Sequence, residues 1–237
     1  VRVLTIVFQD DAGPGVFADV ARERGAELVR WTPSRGAPPL PAEKADALLV
    51  LGGAVNPDQE GEHAWLRDAK RLVAGRLEDG TPTLGVCLGA ELIAEVAGGR
   101  AVRMPAPQIG WCEMELEPAA RADPLLSALP SPFASFQWHS YRCEPPPAAT
   151  ALAREGDQLD AFRIGDAWGV QFHPEVTAEI VAAWLGDWRS DGDAVAAGFD
   201  PALVAAETPR RIEAANAAGR AIFARFLDHA GRTPSTA

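Results

Sequence analysis

Three short segments of this 237-residue chain hold residue types that can do chemistry. Gly85-Val86-Cys87-Leu88-Gly89 lies where a buried apolar run passes into a helical pattern. Glycines on both sides allow a tight turn and leave room for a substrate at the thiol, the pattern of a nucleophile elbow with Cys in place of Ser. A helix starting at Leu88 points its free N–H groups and positive dipole end at the sulfur, which favours thiolate. Taken alone, a strand–helix turn with a buried structural cysteine explains the segment equally well.

Gln171-Phe172-His173-Pro174-Glu175-Val176 follows a second predicted strand. Pro174 excludes continued helix, and an extended His173-Pro174-Glu175 sets imidazole and carboxylate on one side of the chain. A carboxylate so placed fixes the tautomer and stabilises the imidazolium, as the base for a thiol nucleophile requires. A packed histidine beside an unrelated glutamate is the plainer alternative. Leu51-Gly52-Gly53-Ala54-Val55 ends a third buried run. Ligands of open α/β sheets bind outside the carboxyl ends of strands, where a glycine pair can aim a backbone N–H at a substrate oxygen. All three segments predict the same end of one sheet. His63, His139 and His229 are scattered without metal-ligand spacing, so no metal site is expected.

The elements that must position these residues follow from periodicity. Residues 3–9, 27–32, 47–51 and 83–86 read as strands; residues 15–24, 64–78 and 88–97 read as helices, the last stopping at Gly98-Gly99. Continuous apolar strands alternating with helices predict an α/β fold with a mostly parallel open sheet covered on both faces. Shorter strands dominate after that, at 112–116, 133–138, 159–163 and 168–172, followed by a helix over 178–188. Residues 189–198 read as an exposed connection, and 209–229 as a long amphipathic helix carrying Ile212, Ala215, Ile222 and Phe226. The expectation is one domain over 1–188 with a helical C-terminal extension, 189–237, packed on it. The extension's apolar stripe has a second reading, as a homodimer or subunit-docking surface.

Composition narrows the function classes. A net charge of −11 and a sequence pI near 4.8 argue against nucleic acid, whose phosphates need clustered Lys and Arg, and against anionic membranes. Hydrophobic residues at 47% and charged residues at 23% exclude disordered and fibrous classes. The apolar run at residues 3–8 is too short to span a bilayer and lacks the flanks of a signal peptide. Three cysteines do not make a disulfide framework, so the expected setting is the reducing cytoplasm.

Together the motifs resemble the class I glutamine amidotransferases, the triad-type glutaminases. Residues 85–94 followed by Gly98-Gly99 are similar to the family's nucleophile segment, and Gln171-Phe172-His173-Pro174-Glu175 to its His–Glu segment. The likeness runs from residue 1 to about Trp188 and is nearest to stand-alone proteins similar to the amidotransferase part of GMP synthase; Ile109-Gly110-Trp111 and Phe136-Gln137-Trp138-His139 also resemble that subgroup. It implies a flavodoxin-like sheet and a Cys87 thiol that attacks the side-chain amide of glutamine to form a γ-glutamyl thioester. His173 would then move the proton, Glu175 would orient the ring, and the N–H groups of Gly53 and Leu88 would hold the oxyanion. Ammonia would pass to an acceptor on a separate synthase subunit. Thiol, imidazole and backbone N–H groups suffice, so no cofactor is implied.

Two departures from the family pattern bear on substrate. Glu91 stands where the family usually has Gln, near the bound glutamine, and a carboxylate there accepts hydrogen bonds but donates none unless protonated. It either favours an amine-bearing substrate, as in the related γ-glutamyl hydrolases, or only accepts backbone N–H groups near the elbow. Ser140-Tyr141 after His139 resembles the anthranilate-synthase-type glutaminases, which implies contact with the glutamine backbone. A self-sufficient γ-glutamyl hydrolase and a catalytically silent binding subunit are the alternatives to an ammonia-supplying glutaminase.

Overall fold

A computed structural model describes residues 1–36 and 45–232. β1 (Arg2–Ile6), β3 (Ala47–Val50) and β4 (Thr83–Val86) are apolar runs with almost every residue buried, as strands between two helical layers must be. With β2 (Glu27–Trp31) and β9 (Ala167–Val170) they pair in parallel, in the order β2-β1-β3-β4-β9. Beyond β9 the sheet continues antiparallel through β8 (Gln158–Ile164), β7 (Thr150–Glu155), β5 (Arg100–Leu116) and β6 (Phe133–Glu144), to nine strands among the described residues.

The sheet is therefore mixed, where a mostly parallel one was expected. The cause lies in two dipeptides, Gly156-Asp157 and Gly165-Asp166, whose glycines sit at φ 57° and 56°. Each is the whole loop between consecutive strands and folds β7–β8 and β8–β9 into tight hairpins. β7 and most of the long β5–β6 hairpin, with its irregular register between Arg103 and Gln108, go beyond the strands the periodicity predicts.

Side-chain alternation along the strands divides the core into two layers. Val3, Leu49 and Leu84 face α1 (Val16–Glu23) and α6 (Pro201–Ala230), while Leu4, Leu48 and Val50 face α2 (Trp65–Glu78) and α3 (Leu88–Val96). α6 belongs to the first layer: Ile222, Phe223 and Phe226 are fully buried, and the Phe223 ring stacks 4.5 Å from Phe17 on α1. A third cluster joins Val204 and Phe199 of the extension to Phe136 on β6 and to Val181 on α4 (Ala178–Asp187).

Two boundaries differ from expectation. The connection after residue 188 contains a short helix, α5 (Gly192–Ala196), whose first N–H groups are accepted by Asp191 Oδ1. α6 begins not at Pro209 but eight residues earlier, with Asp200 as N-cap and Pro201 in the first turn. Pro209 sits inside the helix, one residue after Thr208, whose hydroxyl donates to the Val204 carbonyl at 2.8 Å and accepts from Trp111 Nε1 at 3.0 Å.

Candidate active site

The β4–α3 junction makes the first half of the site. Cys87 lies at φ 52°, ψ −112°, the one positive-φ non-glycine residue among those described. Such a conformation costs roughly 1–3 kcal/mol and persists only where surrounding contacts enforce it. Here the Cys87 N–H is held by Val170 O at 2.8 Å, and both flanking glycines are required by close approach. A Cβ on Gly89 would stand 2.1 Å from Val50 O, and one on Gly85 would stand 2.5 Å from the Gly89 carbonyl. Leu88, next in the chain, is the first residue of α3, so its N–H has no acceptor within the helix.

The second half is the loop after β9. His173 Nδ1 and Glu175 Oε1 are 2.8 Å apart, with both residues at most 3% exposed. The remaining ring nitrogen, Nε2, is buried with no hydrogen-bond partner among the described residues. A Cβ added to Gly52 would lie 3.0 Å from His173 Cε1 and 3.8 Å from Cys87 Sγ, so thiol and imidazole meet across a glycine that has no side chain to part them. This loop is clamped from both sides. Val16 N–H at the start of α1 donates to Glu175 O at 2.9 Å, beside Gly15 at φ 47°. On the other side Gly219 of α6 packs against Pro174, where a Cβ would fall 1.8 Å from the carbonyl oxygen.

Burial disfavours charge at both groups, but the pair opposes it. It lowers the His173 pKa, yet Glu175 and Cys87 outweigh it and hold the imidazole well above its usual range. Burial pushes the Cys87 thiol up, His173 pulls it back, and the Glu91 and Glu175 charges add to the rise. The thiol also faces Trp138 O at 3.7 Å.

Cys87 and His173 open on a pocket of about 350 Å³ that Gly53, Leu88, Glu91, Ser140 and Tyr141 also line. Glu175 stands behind His173, outside that lining. Glu91 is 3% exposed and accepts from Gln171 Nε2 at 3.0 Å, while Gln171 Oε1 takes the Cys143 thiol at 3.1 Å. Burial raises the Glu91 carboxyl to about 7, against the Gln171 hydrogen bond and with a contribution from the Glu95 and Asp58 charges. Tyr141 donates to Asp58 Oδ2 at 2.8 Å, and Arg103 lies over its ring.

The glutamine amidotransferase class-I family model matches residues 17–182, most of the chain, with Cys87, His173 and Glu175 inside the match. The chain belongs to the class I glutamine amidotransferases. It is 28% identical to the glutamine amidotransferase-like protein YfeJ of Salmonella typhimurium, over 76% of this chain and 78% of that one. A GMP synthase (glutamine-hydrolysing) of Aeropyrum pernix is 32% identical; the match covers 78% of this chain but only 40% of the larger enzyme. Among solved structures, a glutamine amidotransferase from Thermotoga maritima superposes with a TM-score of 0.85 at 25% identity, covering 98% of this chain and 99% of that one.

In this class I amidotransferase the structure adds His139, Arg103 and three aspartates to the Ser140 and Tyr141 already expected at the pocket. His139, Gln137 and Tyr141 alternate on one face of β6, and His139 lines the pocket with Nδ1 2.6 Å from Tyr141 O. Its signal was the two-residue spacing to Tyr141. Arg103 belongs to the β5 irregularity, and Asp187, Asp191 and Asp193 come from the extension; no local motif marks them. Trp138, which core packing alone would explain, donates its Nε1 to Asp191 Oδ2 at 2.8 Å and so ties β6 to the start of α5. No helix of the described residues is long and apolar enough to cross a membrane.

Proposed function

We propose that this class I amidotransferase cleaves the γ-amide of glutamine through a thioester on Cys87. The observation that carries the reading is the strained Cys87 elbow set against a buried His173–Glu175 pair at 2.8 Å. Glu175 keeps the proton on Nδ1, so Nε2 is the nitrogen turned to the thiol. The proton shared between Sγ and Nε2 rests on the imidazole as Sγ attacks the amide carbon, and the developing oxyanion meets the N–H groups of Leu88 and Gly53. His173 then gives its proton to the leaving nitrogen, the C–N bond breaks, and ammonia departs. Water activated by the same nitrogen attacks the thioester and releases glutamate, returning the proton to Sγ.

The ammonia goes to an acceptor held by a synthase partner. This part rests on relatives named as subunits or components: an imidazole glycerol phosphate synthase subunit HisH at 34% identity and an anthranilate synthase component 2 at 31%. The chemistry is tested by treating the protein with a diazo-ketone analogue of glutamine and mapping the adduct by mass spectrometry. One adduct, on Cys87 and suppressed by glutamine, is the expected result. Labelling of Cys112 or Cys143 instead, or a Cys87 adduct indifferent to glutamine, overturns the reading.

A further inference from the structure

Acidic side chains outnumber basic ones around the pocket: Asp11, Glu91, Asp187, Asp191 and Asp193 stand against Arg103 and the His173 imidazole. A γ-glutamyl head group carries one carboxylate and one ammonium. Arg103 suits the former and a single acid suits the latter, so glutamine leaves most of this negative charge unmatched. Some of it is committed locally. Asp193 holds Arg103 at 2.5 Å, and Asp191 spends its oxygens on Trp138 and the α5 N-terminus. Asp187, exposed at the mouth, has no ion pair among the described residues. A concave site focuses the field of the four aspartates, and Glu91 joins them once it ionises near 7.

A separate observation points the same way. The Tyr141 carbonyl can only accept, so His139 Nδ1 carries the proton and Nε2 is a bare lone pair. That nitrogen is buried and unpartnered, on a residue 5% exposed. Burial, opposed by the Tyr141 hydrogen bond and assisted by His173, lowers the His139 pKa to about 4 and keeps the ring neutral. A bare imidazole nitrogen in an acidic pocket calls for an N–H donor from the ligand. The 350 Å³ has room for about a dozen waters at about 30 Å³ each, so it is large enough for a glutamine-sized ligand.

We infer that the same site hydrolyses γ-glutamyl amides whose amine portion carries a positive charge, the amide of a diamine being the simplest. The inference rests on the thioester reading above. Cys87 Sγ bonds to the γ-carbon, the C–N bond breaks, and the diamine leaves with a proton from His173. Water then displaces Sγ to give glutamate, and the thiol proton is restored.

The test compares the full chain on three γ-glutamyl amides of equal length: one ending in an ammonium, one in a methyl group and one in a carboxylate. Glutamate release is followed, and Cys87 acylation is read by mass spectrometry. The ammonium-ended amide is expected to lead the neutral one in kcat/KM by about tenfold, with the carboxylate-ended one slowest. The lead should shrink in high salt and in Asp187→Asn or Asp11→Asn. Equal rates on the charged and neutral amides, with Cys87 acylated by both, overturn this inference and leave the thioester reading intact. No acylation by any amide or by glutamine overturns both.

Discussion

Replacing Glu91 by Gln removes one ionisable proton and little else. The carboxamide has the same shape, and its oxygen can still accept from Gln171 Nε2, now 3.0 Å from Glu91 Oε1. In the unfolded chain Glu91 ionises near 4.5, whereas burial in the fold delays this to about 7. Between those values the folded state holds a proton that the unfolded state has lost. The fold's stability therefore falls as pH rises through this window, and the loss is complete above about 7. At ~1.4 kcal/mol per unit the loss reaches about 3 kcal/mol. Glu91→Gln lacks this slope. Wild type and variant should differ little near pH 4.5, while at pH 8.5 the variant should be more stable by about 3 kcal/mol, or roughly 6–12 °C in Tm. His139 and Asp160 titrate in the same range, but they do so in both proteins and cancel in the difference. Thermal or urea unfolding across pH decides it. A stability difference that stays constant from pH 4.5 to 8.5 refutes the reasoning, because it would mean that Glu91 ionises in the fold as it does in water.

Glu175→Gln should lower kcat by about three to four orders of magnitude while leaving Tm nearly unchanged, since the ring loses its tautomer control and not its packing; a loss under tenfold would remove Glu175 from the mechanism. Gly219→Ala puts a methyl 1.8 Å from the Pro174 carbonyl, so the His173 loop must shift. A destabilisation of about 1–3 kcal/mol and about a hundredfold loss of rate are expected, read by denaturation and by amide hydrolysis. A chain cut after residue 188 loses Ile222, Phe223 and Phe226 from the core and should show no cooperative unfolding by calorimetry; a folded fragment would contradict the packing described. His139→Asn tests the opposite pH slope. Burial lowers the His139 pKa to about 4, so its contribution is full above 6.5 and is lost as pH falls towards 4, a decline the variant should not share in acid denaturation.

Where the chemistry was local, the sequence was a good guide. The β4–α3 elbow was legible because Gly85 and Gly89 answer to close contacts that no side chain allows, and the His173 loop because proline forces it out of helix. β8 and β9 were legible as strands and β7 was not; what was missed is the hairpin pairing that Gly156-Asp157 and Gly165-Asp166 signal, because the apolar runs beside them give no strand direction. Pro209 drew the start of α6 to itself because proline is common in a first turn, although Asp200-Pro201 is the stronger cap. Arg103 and the extension's aspartates carried no local mark at all. Their placement depends on strand register and on a helix far along the chain, and neither has a local pattern.

The clamp on Pro174 and Glu175 also orders events in time. Domains are made from the N-terminus at about 5–20 residues per second, and Val170, which holds the thiol elbow, is made before α6. Until then Gly219 is missing from behind the His173 loop, and Cys87 faces a partner that is held on one side only. Synthesis of α6 thus completes the clamp, and a chain that stops short of Gly219 has the Cys87 elbow facing a His173 loop not yet held in place.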